Sequence, residues 1–138
     1  MARSGFRTGD RDRAKALFRA LPRSVRKATS AALDSSAEEL AEAIRRRVPE
    51  DRGDLKASVT VKRGAGKARG REAGADPDLT VRVTEGDRDT FYAPYVEFGT
   101  TEQPAQSHFF PTYRSLRKRL SGRIKRAQRK AIRDAASG

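Results

Sequence analysis

Residues 24–48 read SVRKATSAALDSSAEELAEAIRRRV. Within them Val25, Ala28, Ala32, Leu33, Ala37, Leu40, Ala41, Ile44 and Val48 recur at steps of three and four, which places them on one side of a helix. Alanine is frequent, and no Gly or Pro interrupts. Arg45, Arg46 and Arg47 suit the negative end of the helix dipole, and Pro49 stops the run. The pattern predicts a helix from about Ser24 to Arg47, with Pro22 tolerated at its first turn. Upstream, residues 1–13 read as a flexible N-terminal arm, and Ala14 to Ala20 as a short helical piece using Leu17, Phe18 and Leu21.

Downstream the periodicity changes. Leu55, Ala57, Val59 and Val61 alternate with polar residues, as do Leu79, Val81 and Val83, so two strands are expected. Between them residues 64–78 mix Gly, Ala and charge without period, which predicts a mobile hairpin loop. Phe91 to Thr100 is the most aromatic stretch, and Pro94 within it argues for an edge strand or an extended path. From Pro111 to Ala136 the helical period returns: Tyr113, Leu116, Leu120, Ile124, Ala127 and Ala131 form one stripe, with Ile132 beside it and Gly122 a weak point. The fold class expected is α+β in a single domain over 14–138: long N-terminal helix, small antiparallel sheet, long basic C-terminal helix.

Composition narrows function. The chain has 138 residues, 36% hydrophobic and 36% charged, enough for one modest core that leans on long helices or on neighbouring subunits. It carries 31 Lys and Arg against 18 Asp and Glu, a formal charge of +13 that points to an anionic partner. With no cysteine and one histidine, disulfides, thiol catalysis and multi-histidine metal sites are excluded. No apolar run reaches membrane-spanning length, and no signal peptide opens the chain, so a cytoplasmic origin is expected.

Catalytic, cofactor and metal residues are expected to be none. His108 reads as a loop residue beside Phe109. The pairs Asp76 with Asp78 and Asp87 with Asp89 read as turn carboxylates. The C-terminal helix is more informative, because no acidic residue lies between Glu102 and Asp134. Arg114, Arg117, Lys118, Arg123, Arg126 and Lys130 are its candidate contacts to DNA phosphate or to acidic faces of partner proteins; a plainly solvated face is the alternative. Phe91, Tyr92, Tyr95 and Phe98 read as core or interface, or as a base-stacking platform. Glu97, alone among apolar neighbours, reads either as the partner of an arginine of the C-terminal helix or of a neighbouring subunit, or as an outward-facing strand residue.

Two motifs carry a resemblance. Pro49-Glu50-Asp51-Arg52-Gly53-Asp54-Leu55-Lys56-Ala57-Ser58 resembles a turn of small siphophage tail-component proteins, with Arg52 where that family usually has Thr. Tyr92-Ala93-Pro94-Tyr95-Val96-Glu97-Phe98-Gly99-Thr100, then Pro104-Ala105-Gln106 and an aromatic pair, resembles the family's most telling segment, interrupted here by Ser107-His108. The likeness spans about residues 22–135, and the lambda minor tail protein Z is distantly similar. Gly53, Leu55, Tyr92, Pro94, Tyr95, Glu97, Phe98 and Gly99 are the motif and packing positions.

The resemblance implies a structural virion protein of the head–tail connector or neck: a tail-completion ring, sixfold, around the DNA channel. Its partners would be connector or stopper and tail terminator or tail-tube proteins, with non-specific DNA contact left open and no membrane. It would be found in the virion and, during assembly, in the host cytoplasm. A basic nucleic-acid-binding protein using the C-terminal helix is the alternative.

Overall fold

A computed structural model describes Ala16, residues 21–64 and residues 76–137. The expected arm at 1–13, most of the helical piece before Leu21 and the loop residues 65–75 lie outside these. The described chain is α+β. Helix α1 spans Arg23–Arg47. A short helix α2 follows at Gly53–Ala57, then strand β1, Thr60–Arg63. A 3-10 turn at Pro77–Leu79 leads into strand β2, Val81–Thr84. Helix α3 is Ala93–Phe98 and helix α4 is Phe109–Ser137.

Helix α1 is the hub. Val25, Thr29, Ala32, Ser36, Ala37, Leu40, Ala41 and Ile44 are its buried residues; polar Thr29 and Ser36 join the period read from sequence, while Ala28 and Leu33 are only half-buried. It packs against α4, both strands and the 3-10 turn. Arg47 reaches Thr112, while Glu39 reaches Arg119 and Arg123, so α1 and α4 run antiparallel. Ala32, Ala37 and Ala41 are small and buried along α1. The core gathers Leu40, Ala41, Ile44 and Val48 with Leu55, Val59, Ala93, Val96 and Leu120. The strands pair antiparallel with Thr60 opposite Thr84 and Arg63 opposite Val81.

Four expectations are corrected. The strand expected from Leu55 begins only at Thr60, because residues 53–57 are helical. The alternation misled: Leu55 and Val59 are buried and four apart, while Ala57 between them is exposed. The aromatic segment is a helix, not an edge strand. Its buried residues Ala93, Val96 and Glu97 stand at helical steps, and Pro94 sits in the first turn, where it costs no hydrogen bond. Strand β2 starts at Val81, Leu79 having gone into the 3-10 turn. The C-terminal helix starts at Phe109, two residues before Pro111, for a reason given next.

Candidate assembly interface

Glu97 pairs with no arginine among the described residues. Its carboxylate is buried, and it accepts from the backbone N–H groups of His108 (2.8 Å), Phe109 (3.0 Å) and Phe110 (3.0 Å), the opening amides of α4. These donors have no partner within the helix, and the helix dipole favours an anion there. Glu97 is therefore a capping group supplied from a different helix. The connection between them folds back to make this possible. Gly99 takes φ 78, and a Cβ there would lie 2.7 Å from the Ala105 nitrogen. Gln106 then donates its backbone N–H to Val96, and Ser107 its hydroxyl to the Glu97 carbonyl.

His108 is the loop residue just before α4, as read, but it is buried too. Its Nδ1 lies 2.9 Å from the Gln106 carbonyl and its Nε2 lies 2.5 Å from Glu85 Oε1, with Glu97 3.5 Å from Nδ1. Both ring nitrogens face oxygens, which the doubly protonated imidazolium satisfies. Burial pulls the imidazolium pKa down, but the Gln106 carbonyl, Glu85 and Glu97 outweigh it and hold the pKa above its ordinary value. Burial pushes Glu85 up, partly offset by His108. Burial also pushes Glu97 up, yet the three amides and the imidazolium leave it below the ordinary carboxylate value.

Above this buried network lies an aromatic surface. Phe98 is 67% exposed, so the core reading of Phe98 is overturned. Its ring packs instead on Phe110, with centroids 5.9 Å apart, and Phe110 meets Phe109 edge-on at 5.2 Å. Phe91, Tyr95 and Tyr113 are exposed as well. Tyr92 is half-buried, donates its hydroxyl to Asp54 and carries Arg52 over its ring. Of the other motif positions, Leu55 is fully buried, while Gly53 and Pro94 are exposed.

The basic residues of α4 divide into two sets. Arg114, Arg117, Lys118, Arg126 and Lys130 are exposed and form no ion pair among the described residues. Arg123 is half-buried and paired with Glu39, as is the exposed Arg119, so Arg123 helps join α4 to α1 rather than facing outward. The turn carboxylates behave as read. Asp76 caps the 3-10 turn, and Asp87 accepts from Asp89 and Thr90. Sequence reasoning missed Glu85, Glu39 and the buried place of His108, because each acts across a long separation.

Among the described residues no cluster of metal-ligating side chains occurs, and no helix is long and apolar enough to cross a membrane. What the surface offers is contact: exposed aromatic area, and exposed cations that pair with no charge among the described residues. The family described as "Bacteriophage HK97-gp10, putative tail-component" matches residues 12–99. That stretch holds α1, α2, both strands and α3 with its closing Gly99. No curated protein and no solved structure gives a match, so the likeness to the lambda minor tail protein Z stays with the motifs alone. With well over half its length matched, the chain belongs to the HK97-gp10-like family of bacteriophage tail components.

Proposed function

We propose that this tail component is a subunit of the head–tail connector: a tail-completion ring, sixfold, stacked between connector or stopper and tail terminator or tail-tube proteins around the DNA channel. The observation that carries the reading is the aromatic surface of Tyr95, Phe98, Phe110 and Tyr113, left in water by the lone chain. Contiguous exposed apolar area of this kind marks a surface that another molecule covers. Family membership supports virion proteins as the covering molecules, and membership of a family of tail components argues against catalysis. Electron microscopy of the intact particle tests it. Six copies encircling the channel at the top of the tail are expected. Density for the chain at the tail tip or along the tube would sink the assignment.

A second reading has its own support. Arg114, Arg117 and Lys118 are exposed without ion-pair partners among the described residues, so α4 could meet DNA phosphates directly. Binding of the purified chain to duplex DNA with a steep loss of affinity as salt rises would favour it. Salt-independent or absent binding would remove it.

A further inference from the structure

The large apolar side chains exposed among the described residues fall in two places. Phe91, Tyr95, Phe98, Phe110 and Tyr113 lie around α3 and the start of α4, and Ile132 lies near the far end of α4. At about 1.5 Å per residue, Ile132 is roughly 33 Å along the helix from Phe110, too far for the two places to meet within one chain. Arg129 stands one turn before Ile132, on a neighbouring face, and is exposed with no ion pair among the described residues. The far end of α4 thus presents a guanidinium beside an aliphatic side chain.

The near end presents the complement. A groove of about 320 Å³ is lined by Thr84, Glu85, Pro94, Glu97, Phe98 and Phe110 among others. Its aromatic and proline members are apolar, and Phe98, Phe110 and Pro94 are exposed. Its carboxylates are buried, and that of Glu85 uses Oε1 on His108 while Oε2 accepts no hydrogen bond from the described residues. Aromatic faces next to an unfilled carboxylate oxygen suit an arginine with apolar company.

We propose that the Arg129–Ile132 end of α4 from a second copy of this chain docks in the Phe98–Phe110 groove, with the guanidinium directed to Glu85. The contact joins two different patches, so each copy keeps one free groove and one free helix end. Repeated contacts of that type close a ring when the rotation permits. The inference deepens the ring reading and rests on it.

The chain has no cysteine, so Pro94→Cys on the groove rim and Ile132→Cys on the helix introduce the only thiols. Both positions are exposed. In phage particles assembled with the double variant, mild oxidation should give a ladder of covalent multimers on a non-reducing gel, and neither single variant should cross-link. Adding Phe98→Ala or Glu85→Gln should cut the ladder on the order of tenfold, the loss expected when one charge-assisted or well-packed contact goes. Dimers from a single-cysteine variant would overturn the proposal, because they signal a symmetric contact. So would a double variant that assembles yet stays monomeric on oxidation, or a ladder indifferent to both added substitutions. If particles do not assemble, the purified double variant, its fold checked by circular dichroism, is oxidised over a concentration series; multimers that grow with concentration support the contact, and monomer throughout overturns it. A ring seen at the head–tail junction without the ladder removes this contact and leaves the ring standing. A ladder from particles with no ring there does the reverse.

Discussion

At Glu97 one carboxylate serves three amides, so its removal has a calculable direction. Glu97→Ala leaves the opening N–H groups of α4 uncapped and takes an anion from beside His108. Cap loss alone costs about 0.5–2 kcal/mol, and a buried group left unpaired adds about 1–3 kcal/mol. Urea unfolding should therefore show a loss of about 2 kcal/mol or more, with Glu97→Gln losing less because its amide oxygen still accepts; equal stability of Glu97→Ala and wild type would refute the capping role. The same network sets a pH dependence. His108 is held above its ordinary 6.5, so its contribution is complete below 6.5 and is lost as pH rises through the raised value. Glu85, also raised, acts in the same sense from its ordinary 4.5 upward. Glu97 is held below 4.5, so its contribution is complete above 4.5 and is lost as pH falls through the depressed value. Stability should peak in mildly acidic solution and decline on both sides, and His108→Gln should flatten the alkaline decline. A melting temperature of wild type that climbs steadily from pH 6 to 9 would contradict this.

The two long helices were legible because each repeats its apolar period over about five turns or more, which local accidents cannot erase. The short elements were not. Leu55 to Val61 satisfies alternation and also a four-residue step, and only the burial of Leu55 and Val59 with Ala57 outside decides for a helical turn. Pro94 pointed to an edge strand or an extended path, although a proline in a first turn is harmless; the steps Ala93, Val96, Glu97 held the helical signal. The partner of Glu97 was beyond reading, since its donors lie eleven to thirteen residues later and depend on the turn at Gly99. A paired substitution follows at this scale. Leu55→Ala empties a fully buried site in α2 and should cost about 2–5 kcal/mol. Phe98→Ala on α3 removes an exposed ring packed on Phe110 and should cost about 1 kcal/mol or less. Denaturant midpoints measured side by side check the ordering, and Phe98→Ala proving the more damaging would show that the aromatic surface belongs to the core.

Over the whole molecule, +13 is unevenly held. Arg119 and Arg123 share Glu39 and thereby fasten α4 to α1. Arg114 and Lys118, four apart on α4, are exposed and pair with no opposite charge among the described residues, and Arg117 stands one turn from Arg114. Like charges at such spacing destabilise a helix by about 0.2–0.5 kcal/mol per pair. Changing Arg114, Arg117 and Lys118 together to Gln leaves Leu116 and Leu120 in place, so the subunit should fold and melt unchanged or about 1–3 °C higher. Glu39→Gln should do the opposite, because it strands two cations against α1. If the exposed cations bind a partner ring or DNA, the triple variant should also join heads to tails less well than wild type. Its deficit should widen as salt rises, because screening weakens the contacts that remain. Melting curves separate the two sets of charges, and a head–tail joining assay across a salt series tells contact from mere solvation. Should the triple variant join as well as wild type at every salt concentration, those three cations are a solvated face. The aromatic surface would then have to hold the subunit in place without their help.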